Sequence, residues 1–301
     1  MVADIVESPE ARTRKGSLVA ALTYSLWGLL PLYWKQLKTV DSVQIICHRI
    51  IWAFVFSIIV LAATRRLGAL AAVFKDRRRT LTVAAGGLLI TANWGLYIWA
   101  VNAGRVVESS LGYFINPLFA VAFGAMFFGE KLDRWTVTAV SIAAAGVAVA
   151  SIMMGKLPWI SLVLAATFAL YGAVKKGLRL DPVVGLAAET LFVAPLALAW
   201  LVIEHRAGRG ALGGPDMKVN ILLVLAGVAT ATPLLMFAYA ANRITLQLIG
   251  FFQYISPALQ LGLSLFVFGE RLTPALMVAL ATVVVAALIY SSTRRAAEGG
   301  T

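Results

Sequence analysis

The sequence predicts an all-α integral membrane protein whose ten transmembrane helices form two inverted repeats of five. Three observations carry this. The 301 residues are 60% hydrophobic and 13% charged, with a mean hydropathy of +0.86. Ten apolar segments, 17–35, 43–64, 81–103, 109–128, 135–155, 157–174, 183–203, 219–241, 246–268 and 274–292, take up most of the chain, and about 20 apolar residues suffice for one span. Finally, the fourth segment of each five carries related text. SLGYFINP (Ser110 to Pro117) precedes FFGEKL (Phe127 to Leu132), and LIGFFQYISP (Leu248 to Pro257) precedes FVFGERL (Phe266 to Leu272). Pro117 and Pro257 are 140 positions apart, as are Glu130 and Glu270. An odd number of spans per copy inserts the second copy upside down, which is the architecture of alternating-access transporters.

The expected organisation is a cytoplasmic tail (1–16), a first five-helix repeat (17–155), a second (157–292) and a cytoplasmic C-terminal tail (293–301). Other pairs keep the 140-residue offset: Asn93 with Pro233, Trp99 with Tyr239, Asn102 with Asn242 and Arg49 with Glu189. Trp27-Gly28 resembles Tyr171-Gly172 at a slightly different offset. Basic residues fix the expected orientation. With both termini inside, the cytoplasmic segments hold 17 Lys and Arg, the opposite segments hold 8, and Arg49 stays within a span; excess positive charge marks the cytoplasmic side. This pattern also accounts for the net charge of +12 without a nucleic-acid partner. The polar, mixed-charge residues 1–16 do not read as a cleavable signal.

Loops are short except 65–80, a basic stretch that reads as an anchor at anionic headgroups, and 204–218, a Gly-rich external loop. Span ends carry ordinary stop and start chemistry. Gly129 and Gly269 suit left-handed helix ends, Asp133 is placed to cap span five, and Thr273-Pro274 to cap and start span ten. Glu130 and Glu270 are then acids near the positive terminus of the next helix.

Within the spans, the two prolines come first. A proline inside a helix frees the carbonyl four residues earlier, at Tyr113 and Gln253 here. Pro117 lies about 12 Å into its span and Pro257 about 16 Å, near the midplane of a core roughly 30 Å thick. Such backbone is tolerated where it is buried in protein or lines a wet cavity, so these helix breaks mark either a substrate site between spans four and nine or kinked packing helices. Gln253, Ser256, Gln260 and Ser264 share one helical face, with Tyr254 beside it. Tyr113 and Asn116 start the matching face of span four, which turns small at Ala120 and Gly124. Asn93, Trp94, Tyr97 and Asn102 in span three, Trp27 in span one and Tyr171 in span six complete a predicted lining of amides, hydroxyls and rings, suited to a small amphipathic or aromatic solute. Trp34, Trp135 and Trp159 read instead as interfacial anchors.

Charges inside spans are rare and point to function. Arg49, beside His48, lies about 9 Å from the external end of span two, and Glu189 about 9 Å from the cytoplasmic end of span seven. The expected partners are Glu108 for Arg49, and Lys175 or Lys176 for Glu189. These pairs would act as outer and inner gates, or as static ties. His48 and Glu189 are the candidates for proton coupling.

The same inventory excludes much else. Cys47 is the only cysteine, and His48 and His205 are the only histidines, so neither a disulfide nor a metal cluster is expected, and no cofactor motif is present. An intramembrane enzyme would need a nucleophile with its base, and adjacent His and Cys do not face each other on a helix. A non-transporting sensor or scaffold is the main alternative, although the loops offer little signalling surface. The partners expected are a small-molecule substrate and the lipid bilayer. The small-residue runs of span five (Ala143 to Gly146) and span ten (Ala286, Ala287) suit either a homodimer contact or packing within the monomer.

The strings ICHRIIWAFVF, NWGLYIWAVN, SLGYFINPLF, FGEKL, Glu189-Thr190, GFFQYISP and FGERL resemble RarD-type proteins of the EamA branch of the drug/metabolite transporter superfamily, from about Lys15 to Arg295. The Gly-Glu and proline features belong to the superfamily at large, whereas His48-Arg49, Asn93-Trp94 and SLGYFINP are more specific. The resemblance implies an EamA-type fold of ten helices, a central cavity lined by the first four helices of each half, and peripheral fifth helices. It also implies a bacterial inner-membrane permease that works as an exporter. Members carry chloramphenicol-related labels, which say little about the solute here.

Overall fold

The computed structural model describes residues 8–129, 132–175, 178, 180–244, 248–249 and 252–298. Glu130, Lys131, Lys176, Gly250 and Phe251, all used above, lie outside the described residues. Regular structure among the described residues is helical: α1 (Pro9–Lys35), α2 (Ser42–Ala63), α3 (Leu67–Val73), α4 (Arg77–Asn102), α5 (Val106–Phe128), α6 (Arg134–Met154), α7 (Trp159–Lys175), α8 (Pro182–Arg206), α9 (Met217–Ala241), α10 (Ile255–Gly262) running into a π-helical turn (Leu263–Val267), and α11 (Pro274–Glu298). Seven of these, α1, α2, α4, α5, α6, α8 and α9, are long and apolar enough to cross a membrane. The other three expected spans coincide with shorter apolar helices, Trp159–Lys175, Ile255–Val267 and Pro274–Ile289.

Several elements begin and end for the predicted reasons. Asp133 Oδ1 accepts from Thr136 N at 2.7 Å to cap α6, and Thr273 Oγ1 accepts from Leu276 N at 3.3 Å at the start of α11. Gly129 and Gly269 adopt φ of 64° and 67°, a left-handed conformation that glycine adopts without steric penalty. Two elements differ from expectation. α1 starts at Pro9 rather than near residue 17, because the Ser8 side chain accepts from Ala11 N at 3.2 Å and a proline occupies the first turn, a strong start signal. The basic 65–80 connection contains α3, whose Leu70 and Val73 bury against Leu61 and Val83.

The two prolines also behave differently. α5 runs unbroken through Pro117, so that proline does not interrupt it. Span nine is interrupted at Gln253 and Tyr254, and Pro257 sits in the first turn of α10, where its missing N–H costs little. Prolines 31, 195 and 233 also sit inside helices, α1, α8 and α9 respectively.

The main packing joins the first half of the chain to the second: α2 against α8 and α9, α4 against α7 and α8, α5 against α7, α1 against α9 and α10, and α6 against α11. Small residues let these backbones approach closely. A Cβ on Gly87 would stand 2.6 Å from the Glu189 carbonyl oxygen, and one on Gly112 would stand 2.8 Å from that of Ser161. The small face of α6 packs on α11: a Cβ on Gly146 would meet Thr282 Oγ1 at 1.7 Å, and Ala143, Ala150, Ala279 and Ala286 are buried in one cluster. Of the two uses predicted for these small-residue runs, packing within the monomer is the one observed.

Candidate functional site

Lys35, Arg105, Glu204 and Glu270 gather at one end of the bundle, and Arg66, Lys175 and Asp181 at the other. Between them, α5 and α7 line an open cavity of about 330 Å³ with Asn116, Ala120, Gly124, Phe128, Phe168, Ala169, Gly172 and Ala173. Phe128 and Gly172, near the Lys175 end, are exposed, as is Ala120 midway along α5, while Gly124 and Ala169 are buried. Asn116 Oδ1 is buried without a hydrogen-bond partner among the described residues, so the cavity wall carries an unengaged amide oxygen. The small face predicted to continue from Asn116 through Ala120 and Gly124 forms one wall. The other wall comes from α7 residues that the sequence reading missed. Their signal was Gly172, visible beside Tyr171 but read only as part of a repeat.

Arg49 does not meet Glu108. It is buried (4% exposed), and its guanidinium carbon lies 3.8 Å above the Trp94 ring centroid and 5.3 Å from that of Trp34. Its electrostatic neighbours are Tyr113, Tyr97 and Tyr33, and Nε has no hydrogen-bond partner. Glu108 instead faces Arg105 at 3.7 Å, and its carbonyl accepts from Ser161 Oγ at 2.6 Å. The two charges separate because Arg49 points from α2 into the α1–α4 aromatic layer, whereas Glu108 stays in the first turn of α5 beside its own i−3 neighbour. A cation stacked on desolvated Trp gains about 2 kcal/mol, less than the several kcal/mol lost on removing an ion from water. Trp34, expected at the interface, is fully buried as part of this cage. His48 is buried as well but takes no part in the stack.

Glu189 meets Lys175, one of its two expected partners. Lys175 Nζ lies 2.8 Å from Oε1, the Tyr171 hydroxyl donates to Oε2 at 3.0 Å, and Lys175 Nζ donates to the Tyr171 hydroxyl oxygen at 2.8 Å. Oε1 has no aligned hydrogen bond, so the Lys175 contact on that oxygen is purely ionic. Glu189 is 2% exposed, and Lys175 is the group that compensates its charge.

At the opposite end a contact joins the halves. Glu270 accepts from Val106 N through Oε1 and from Val107 N through Oε2, both at 2.9 Å. The expected target was the next helix, α11. The carboxylate is turned onto α5 because the π-turn bonds Phe268 N to the Leu263 carbonyl and Glu270 N to that of Ser264, which folds the chain back towards α5. Arg105 precedes α5 without capping it, so Glu270 supplies the missing acceptor at a positive helix end. At this end Lys35 Nζ donates to the Val101 carbonyl at 3.0 Å and lies 5.4 Å from the Phe268 centroid.

The remaining predicted residues are distributed among other contacts. Asn93 Nδ2 donates to the Leu164 carbonyl and Thr167 Oγ1 at 2.9 and 2.8 Å, tying α4 to α7. Tyr97 packs edge-on against Tyr113, and Tyr113 against Phe168, with centroids 5.7 and 6.2 Å apart, linking the Arg49 cage to the cavity wall. Trp27 packs against Tyr24 and Phe237. Tyr254 stacks on Phe114. Gln260 donates to Ser256 Oγ at 3.2 Å, and Ser110 Oγ donates to the Pro257 carbonyl at 2.7 Å. Gln253 and Pro117 are not among the residues lining the cavity, where Asn116 alone represents the predicted polar set.

The class defined by this bundle is the multi-pass membrane transporter. Residues 14–152 and again 157–292 match the EamA-like transporter family, and the chain belongs to that family, in the drug/metabolite transporter superfamily. It is 38% identical over 279 residues to protein RarD of Escherichia coli, covering 93% of this chain and 94% of that one. An uncharacterized transporter of Bacillus subtilis, YojE, is 44% identical over 268 residues, 86% of this chain and 88% of its own. A crystal structure with 19% identity shares the fold at a TM-score of 0.59, covering 93% of this chain and 98% of that one. The family is one of transporters rather than enzymes.

Proposed function

We propose that the protein is a secondary exporter of small amphipathic metabolites or drugs in the bacterial inner membrane. Its two repeats lie in opposite orientation, both termini are cytoplasmic, and it works by alternating access. One observation carries this reading: the two ends of the bundle differ. A cavity of about 330 Å³, with Asn116 in its wall, lies towards the Lys175 end, while Glu270 on α5 and Lys35 on α4 clasp the other end. In the proposed orientation the Lys175 end is cytoplasmic, so the conformation faces inward with its external side shut. Lys175–Glu189 and Glu270–α5 are then contacts that loosen in alternation as the halves rock. Homodimerisation through α6 and α11 is not part of the reading, because those small faces pack on each other.

The test is flux in proteoliposomes holding the purified full chain, using a mixed panel of amino acids, metabolites and amphenicols with and without a pH gradient. The variants are Asn116→Ala and Gly172→Leu. Gly172 lines the cavity and a Cβ there meets nothing within 4 Å, so the side chain leaves the backbone without a clash and adds bulk at the cavity wall. Protein-dependent flux that survives both changes undiminished would show that the cavity is not the route. Acceleration by the pH gradient would identify proton coupling.

A further inference from the structure

We infer that Arg49, together with the indole N–H of Trp34 and the hydroxyl of Tyr97, is the binding site for the carboxylate of a small organic acid, so that the solute carried is an amphipathic anion. The statement about cargo rests on the transporter reading; the anion site itself does not. Three buried groups able to donate a hydrogen bond, Arg49 Nε, Trp34 Nε1 and Tyr97 OH, have no partner among the described residues, and they gather around one cation. Trp34 Nε1 and Arg49 can only donate. Buried donors left unpaired are costly and rare, and their shared deficiency is an acceptor.

No anion among the described residues fills that role. Glu108 faces Arg105, Glu204 pairs with Arg209 at 2.8 Å, Glu270 caps α5, and Glu189 pairs with Lys175. Stacking of the guanidinium 3.8 Å from the Trp94 centroid occupies a face and leaves the in-plane N–H edge free, the edge that binds a carboxylate through two parallel hydrogen bonds. The surroundings select an organic acid. From Arg49 the rings run through Tyr97 and Tyr113 to Phe168, which lines the cavity with Asn116. A solute with its carboxylate on Arg49 would lay its apolar body along this path.

The experiment uses the full chain in nanodiscs and reads both tryptophan emission, to which Trp34 and Trp94 contribute, and melting temperature. The probes are phenylacetate and hexanoate, their neutral amides phenylacetamide and hexanamide, and chloride. Saturable binding of the acids, at least about tenfold tighter than that of the amides, is the expected result, since a hydrogen bond to a charged group is worth more than one decade of affinity. Arg49→Gln should keep a cooperative melt, because it removes an unpaired buried charge, and should erase the preference for acids. Arg49→Lys should retain part of it. Equal binding of acids and amides, chloride binding as well as the acids, no binding of either acid to folded wild type, or an acid preference intact in Arg49→Gln would each overturn the inference. Flux separates the two readings. Acids that bind at Arg49 while no solute crosses the bilayer leave the anion site standing and sink the transporter reading. Protein-dependent flux of amides that equals that of the acids and is unaffected by Arg49→Gln leaves the transporter reading standing and sinks the statement about cargo.

Discussion

Glu270→Ala offers the sharpest test of how the closed end is held. The carboxylate accepts two backbone N–H groups at 2.9 Å in the first turn of α5, and Arg105 provides no side-chain cap of its own. Losing an N-cap acceptor costs about 0.5–2 kcal/mol, and losing a negative charge at a helix N-terminus adds about 0.3–1 kcal/mol. Glu270 is only partly buried, so water takes up some of the freed donors, and about 1–2 kcal/mol remains. That corresponds to roughly a 5–30-fold shift in a local opening equilibrium. Amide hydrogen exchange on the full chain in nanodiscs reads this directly. Peptides containing Val106 and Val107 should exchange faster by that factor in Glu270→Ala. Glu270→Gln, which keeps a single acceptor oxygen, should fall between. Unchanged exchange in the first turn of α5, or acceleration spread evenly over all helices, would refute the reasoning.

Three further outcomes follow from the packing. Lys175→Met should destabilise the protein by about 3–5 kcal/mol by stranding the Glu189 charge, and Lys175→Met/Glu189→Gln should recover most of that loss; a thermal-melt double-mutant cycle with no recovery argues against the ionic pair. Gly146→Ala should cost about 1–3 kcal/mol through overpacking against Thr282, seen as a lower melting temperature, and an unchanged melt would mean that α6 and α11 pack less closely than described. Gln44, which donates to the Arg209 carbonyl and accepts from Ala211 N, both at 2.9 Å, holds the Gly-rich loop after α8. Gln44→Ala should therefore speed proteolysis in residues 207–216 while costing about 1–3 kcal/mol, and equal cleavage rates would remove that anchor.

The helix ends were legible because capping is local: Asp133, Gly129, Gly269 and Thr273 act within a turn of where they stand. The Glu189–Lys175 contact was legible to within one residue, since span order and charge rarity leave few partners for a buried carboxylate. The Arg49–Glu108 pairing was not, because an aromatic cage is built from side chains on α1 and α4 whose facing depends on helix rotation. The cavity wall from α7 was hidden for a related reason: Phe168, Ala169, Gly172 and Ala173 are apolar or small and look like any membrane helix until α5 lies opposite them.

What the sequence by itself determined is the membrane class, most of the apolar helices with several of their ends, and the rarity of charge within them, because apolar length and capping chemistry are properties of local text. Only the tertiary structure decided which donor faces which acceptor. The fold sends Glu270 to α5 rather than to the helix that follows it, leaves Arg49 among rings with no anion from the described residues, and brings Lys175 to Glu189. These outcomes depend on the rotation and crossing of helices distant in sequence. Those are set by close approaches such as Gly87 on Glu189 and Gly112 on Ser161, where the absence of a side chain matters only once the opposing backbone is in place.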